Sequence, residues 1–111
     1  ADLRHISAID ADFRGVNMVG ADLSNADLRN ARFEPLISPQ GRVIKSNLSK
    51  ANFRYANLSG ARLREAKLRG ADLSYANLLE ADLTGADLTD ANLFGARLNE
   101  TQQALVARAA H

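Results

Sequence analysis

The chain has 111 residues, fourteen basic against thirteen acidic side chains for a net charge of +1, and neither cysteine nor tryptophan. That excludes disulfide and thiol chemistry and excludes a whole-molecule polyanion or polycation. The length admits one domain with a modest core, and no apolar run approaches the roughly 20 residues that cross a bilayer. Hydrophobic residues make up 46% of the chain but aromatics only 5%, so alanine and leucine dominate the apolar set. The sequence opens at Ala1 inside its own pattern, without Met or a signal peptide, as a trimmed, processed or fragmentary chain does. Cytoplasmic residence is the first expectation, and a processed exported or lumenal form the second.

From Ala1 onward the sequence repeats every five residues. Framed in fives to Glu100 it holds twenty pentads, with Ala first in fifteen of them and Leu third in thirteen, Phe13, Phe33 and Phe53 replacing it in three. The second position is mostly Asp or Asn, and the fifth holds six of the seven glycines. A period of five suits neither regular element. On a helix, third-position residues would advance by about 140° per repeat and circle the axis. On a flat strand, an odd period would flip the leucines to the other face each time. The pattern needs a bend in the same sense every five residues, and Gly, Asn or Asp at position five supplies the conformational freedom for it. Such a chain is a solenoid.

Residues 33–45, FEPLISPQGRVIK, depart from the pattern and contain both prolines. They keep the five-residue count, and Leu36–Ser38 exchanges large and small relative to Ala–Leu, as Ile6–Ala8 does. The preferred reading is therefore an in-register, degenerate half-coil. The alternative is that residues 36–45 bulge out and the ladder resumes at Ser46, which suits Pro39 without an amide donor and a polar Ser38.

After Ser46 the pentads become regular, and stretches such as ADLTG ADLTD ANLFG ARL resemble the pentapeptide repeat family over residues 1–100. The resemblance implies an all-β solenoid, a right-handed quadrilateral β-helix with four pentapeptides per coil. About five coils stacked at strand spacing would make a rod of about 24 Å. In that frame Ala and the central Leu or Phe point inward, so the expected core includes Phe13, Phe33, Phe53, Leu63, Leu68, Leu73, Leu83 and Leu88. With twenty residues per coil the three phenylalanines fall directly above one another.

Residues 99–111, NETQQALVARAAH, leave the repeat. Asn99 with Gln102 has the spacing of a capping box, and Ala104, Leu105, Arg108 and Ala109 carry helical spacing. The expectation is a repeat domain over 1–100 and a short helix over 101–111 that covers the last coil. The first coil has no such cover, so an end-to-end or edge homodimer through it is one expectation.

Catalysis finds little support. His5 and His111 stand near opposite ends, and the many Ser and Asp residues recur because the repeat recurs, so no catalytic residue, metal site or cofactor is expected. Charge is uneven: Arg42 to Arg69 carries eight basic residues and one acid, Glu65, whereas Asp72 to Glu100 carries six acids and one base, Arg97. Arg42, Lys45, Arg62 and Arg64 would share one face, with Lys50, Lys67 and Arg69 on the next. This band is a candidate site for an anion, nucleic acid or acidic protein, against the plainer reading of a solvated wall helped by Glu65 and Asp82. No aromatics interleave with it, which argues against single-strand binding. Tyr55 and Tyr75 would stack on one corner near Phe94 and Leu79, a candidate protein-contact patch. The leading expectation is a non-enzymatic scaffold that binds another protein. The alternatives are nucleic-acid binding by the basic band and a gyrase modulator that mimics DNA. The resemblance allows the last, but the net charge and short length fit it poorly.

Overall fold

The computed structural model describes residues 2–109. The expectations placed on Ala1 and His111, and on the side chains of Arg108 and Ala109, lie outside the described residues. Outside residues 36–45, the second residue of each pentad forms a parallel bridge to the same wall of a neighbouring coil. Asp2 pairs with Asp22, Ser7 with Asp27 and Asp12 with Arg32, twenty residues on. Four walls therefore make one turn, and each wall stacks on the same wall of the next coil.

The backbone bonding repeats with the sequence. The Leu23 N–H donates to the Asn52 carbonyl at 2.7 Å, and the Asn52 N–H donates back to the Ala21 carbonyl at 2.9 Å. Between walls the Ala26 N–H donates to the Leu23 carbonyl at 3.1 Å, closing a tight turn with Ser24 and Asn25 at its centre. Asn25 has a φ of +60°, as the second central residue of such a turn requires. The second-position carboxylate or amide supports the same turn: Oδ1 of Asp22 accepts the Ser24 N–H at 3.1 Å, and Asn52 does the same for Arg54 at 3.0 Å. This is why Asp and Asn, short acceptors that bond their own backbone two residues on, fill position two.

First and third positions make the core. Ala21 to Leu88 supply a column of buried Ala, Leu and Phe, with Phe33, Phe53, Leu63, Leu68, Leu73 and Leu88 fully buried and Leu83 nearly so. Phe13, in the first coil, is half-buried and packs against that column.

The in-register reading of 36–45 does not hold. Beyond Arg32 the offset between bridged residues is thirty instead of twenty: Asn17 pairs with Asn47, Asp22 with Asn52, Asp27 with Asn57 and Arg32 with Arg62. From Asn47 upward it returns to twenty. The ten intervening residues leave the wall as an antiparallel hairpin, β1 (Leu36–Ile37) and β2 (Val43–Ile44), in which Leu36 faces Ile44 and Ile37 faces Val43. Leu36, Ile37, Val43 and Ile44 are exposed, so the large–small exchange at Leu36–Ser38 has no packing meaning. The phenylalanine column breaks for the same reason. Phe13 and Phe33 stack at 5.1 Å, but Leu63 lies above Phe33, and Phe53 meets Phe33 only edge-on across the core at 6.5 Å.

The physical cause is Pro35. The other fifth positions of the ladder sit at φ between 58° and 72°, among them Asn30, Lys50 and Gly60. Proline is locked near φ −65° and cannot make that turn, so the chain has to leave the wall there. Ser46 then re-enters as the small first-position residue, fully buried, its hydroxyl donating to the Phe13 carbonyl at 3.1 Å. Because the excursion begins and ends on pentad boundaries, excising residues 36–45 together with Pro35→Gly, which gives the corner a residue able to take its positive φ, is expected to leave the solenoid folded. Its thermal transition should stay cooperative and shift by only a few degrees; loss of the transition would show that the hairpin holds the coils together.

The chain ends in α1 (Glu100–Ala109). Asn99 and Gln102 cap its start reciprocally: each side-chain oxygen accepts the other's backbone N–H at 2.9 Å. The carboxamide of Gln102 also donates to the Leu78 and Ala81 carbonyls of the coil beneath, and Val106 packs on the core. Of the stripe expected from spacing Ala104 is exposed and Leu105 half-buried, and the described contacts that seat the helix are those of Gln102 and Val106.

Candidate protein-interaction surface

The hairpin stands at the corner between the third wall (Asp12, Arg32, Arg62, Asp82) and the fourth (Asn17, Asn47, Lys67, Asp87). Its turn is built locally. The Gly41 N–H donates to the Ser38 carbonyl at 2.8 Å, Pro39 occupies the first central position, and Gly41 follows at φ +79°. The Ser38 N–H then closes onto the Arg42 carbonyl at 2.9 Å. This is a type I turn with a left-handed glycine after it, a standard way to join two antiparallel strands. One face of the hairpin rests on the solenoid: a Cβ at Gly15 would lie 2.8 Å from Cβ of Leu36 and 3.2 Å from the Ile44 carbonyl oxygen. The other face, Ile37 and Val43, is 67% and 59% exposed.

Between that second face and the third wall lies a cleft of about 330 Å³, lined by Arg14, Arg32, Glu34, Pro35, Ile37, Val43, Arg64 and Glu65. Most of its charges are matched. Arg32 meets Glu34 at 2.9 Å, Arg62 reaches the same carboxylate at 3.5 Å, and Lys45 approaches Glu65 at 3.9 Å. Arg14 is held by Asp12 at 2.9 Å.

The residues of the basic band are thereby redistributed. Arg42 and Lys45 belong to the hairpin segment and not to the coil wall that carries Arg62 and Arg64, because the excursion removes them from the ladder. Lys67 and Arg69 stand on the fourth wall, where Arg69 meets Asp87 at 3.6 Å. The aromatic set is brought together: Tyr55 and Tyr75 stack at 5.1 Å, and Phe94 meets Tyr75 edge-on at 5.7 Å. Both tyrosines hold φ of +60°, an unusual conformation for a bulky residue that stacking helps to maintain. The Tyr75 ring lies over Gly95, where a Cβ would come within 2.7 Å of it. Leu79 is half-buried on the adjoining wall. The aliphatic hairpin residues were absent from the sequence-derived candidates. Two signals marked them: a proline in a left-handed slot, and Ser-Pro-Gln-Gly between two aliphatic pairs.

Several second-position aspartates have lowered pKa values. Arg4 hydrogen-bonds Asp2 and Arg14 hydrogen-bonds Asp12, through side chain first and backbone second, and each carboxyl is held at about 2 from the ordinary 3.8. Asp87 is lowered by the Thr89 hydroxyl and then its amide. A depressed folded-state value stabilises the fold above the unfolded value and ceases to do so as pH falls through the folded one. The melting temperature is therefore expected to be flat from pH 7 to 5 and to drop between about pH 4 and 2. Replacing Asp2 and Asp12 together by Asn, which keeps the turn acceptor, should make that drop shallower; an unaltered slope would contradict these assignments.

The pentapeptide repeats family model matches eight copies over residues 1–34, 43–70 and 61–100, leaving out most of the hairpin. Among solved structures the chain is similar to a pentapeptide repeat protein from the cyanobacterium Cyanothece 51142, at 30% identity over 89% of this chain and 60% of that one, with a TM-score of 0.78. A pentapeptide repeat protein from Nostoc PCC 7120 shares 32% identity over 88% and 84% of the two chains, TM-score 0.67. One from the Arabidopsis thaliana thylakoid lumen shares 28% over 87% and 78%, TM-score 0.65. No curated protein sequence matches. The chain thus spans about three-fifths of the length of the Cyanothece protein. With its repeats matched across most of its length and its bridges recurring coil after coil, this chain belongs to the pentapeptide repeat family.

Proposed function

We propose that this protein is a non-enzymatic scaffold that binds another protein through the 36–45 hairpin and the cleft beneath it. In this reading the solenoid is a right-handed quadrilateral β-helix. Four and a half coils remain once the hairpin is set aside, and their role is to hold the hairpin rigidly. The observation that carries the proposal is the exposure of four aliphatic side chains, Leu36, Ile37, Val43 and Ile44, on a segment the core does not use. Exposed aliphatics clustered on one protrusion are uncommon unless something covers them. The basic band supports nucleic-acid binding less well, since Lys45, Arg54, Arg62 and Arg69 each have a carboxylate within 4.0 Å. Counterion release needs cations free to meet phosphate.

The test compares affinity purification from the source cell with the intact chain, the chain lacking residues 36–45 and carrying Pro35→Gly, and an Arg69→Glu variant, followed by reconstitution with the purified partner. A partner retained by the intact chain and by Arg69→Glu, but lost with the hairpin, is the expected result. Partners that bind equally without the hairpin would overturn the proposal.

A further inference from the structure

The charges lining the cleft do not cancel, and the remainder indicates what enters it. Glu34 is met by Arg32 and Arg62, Glu65 by Lys45, and Arg14 is occupied by Asp12. Arg64 alone of the three lining arginines has no carboxylate within 4.0 Å among the described residues, Asp82 of the coil above acting on it only at longer range. Arg64 thus lines an open cleft whose other wall is Pro35, Ile37 and Val43.

We infer that the cleft takes a short peptide segment of a partner protein in which a carboxylate side chain lies next to branched aliphatic ones. The carboxylate meets Arg64, which offers a planar two-pronged donor set suited to it. The aliphatic groups cover Ile37 and Val43. A free inorganic anion would leave the aliphatic wall wet, and a wholly apolar segment would leave Arg64 unmatched. The volume is near the lower end of the roughly 300–1,000 Å³ typical of ligand sites, room for a few side chains and not for a folded domain. This inference rests on the reading of the hairpin as a docking element, and it names the chemistry of what docks.

The test is binding of the full chain to an immobilised hexapeptide array in four composition classes: acidic–aliphatic, basic–aliphatic, acidic–hydroxyl and amide–aliphatic. The strongest acidic–aliphatic peptide is then titrated in solution. The expected result is enrichment of the acidic–aliphatic class, with affinity at least tenfold above the other three. Arg64→Glu should weaken binding at least tenfold, and so should Ile37→Ser with Val43→Ser. All of these side chains are exposed, so circular dichroism should report an unchanged fold. Arg69→Glu, on the neighbouring wall, should leave binding as it was. Equal binding of all classes, indifference to Arg64→Glu, or equal displacement by inorganic phosphate or a single-stranded oligonucleotide would overturn the inference. If no peptide class is enriched while the partner still needs residues 36–45, this inference fails and the scaffold reading stands. If the partner does not need the hairpin, both fail.

Discussion

A Leu68→Asp chain is expected not to fold. Leu68 is fully buried, and its backbone N–H donates to the Asp87 carbonyl of the coil above at 2.8 Å while the Leu48 N–H of the coil beneath donates to the Lys67 carbonyl, so it lies between two coils in the middle of the stack. An aspartate there must either carry its charge into an alkane-like interior or be protonated at a cost, with no basic side chain buried in the core among the described residues to meet it. Either cost is several kcal/mol, comparable to the total stability of about 5–15 kcal/mol typical of a domain. The measurement is a circular dichroism melt, with Leu68→Met as a size-matched control expected to cost less than about 1.5 kcal/mol. A cooperative transition at the original temperature in Leu68→Asp would refute the inward assignment of third-position residues.

The second large effect belongs to the C-terminal cap. Gln102 is 4% exposed and makes three bonds to the backbone: its amide nitrogen donates to the buried Leu78 and Ala81 carbonyls, and its side-chain oxygen accepts the half-buried Asn99 N–H. In the coils below, a first-position carbonyl accepts an N–H from the coil above, as Ala61 does from Asp82. At Ala81 the carboxamide of Gln102 supplies that donor instead. Gln102→Ala strands the Ala81 carbonyl and the Asn99 N–H and removes half of the capping box, while the Leu78 carbonyl keeps the Ala81 N–H at 3.0 Å; with each stranded group costing about 1–3 kcal/mol the expected loss is about 3 kcal/mol. Gln102→Glu separates the two roles, since it keeps the oxygen that accepts from Asn99 but sets a carboxylate against two carbonyls. It is expected to be at least as damaging as Gln102→Ala in urea unfolding. A glutamate variant as stable as the parent would show that the contacts to Leu78 and Ala81 contribute nothing.

Much of this was legible in the sequence, because the pentapeptide is both the structural and the sequence unit. Ala and Leu at positions one and three define the inward column, and Gly or Asn at position five marks the corner. The Asn99 and Gln102 spacing announces the cap. The Tyr55–Tyr75 stack follows from the coil period alone, since residues 55 and 75 lie above the excursion, where twenty residues make one turn. The phenylalanine column failed because Phe33 and Phe53 lie on opposite sides of it, and the same counting error put Arg42 and Lys45 on the coil wall.

Residues 36–45 mark the boundary between the two kinds of information. Ten residues are two pentads, so counting cannot distinguish a degenerate half-coil from an excursion that rejoins in register. Pro35 does distinguish them, but only once the corner is known to require a positive φ, and that requirement is a property of the stacked walls. The charge pairing also depends on the fold: Glu34 meets Arg62, and Glu65 meets Lys45, across 28 and 20 residues of chain. Sequence alone determined that the chain must bend every five residues into a solenoid with an alanine–leucine core, because local backbone geometry and side-chain periodicity admit little else. Only the tertiary structure decided where the chain leaves that solenoid and which cleft arginine has no carboxylate within 4.0 Å among the described residues, because both depend on which coil stacks upon which.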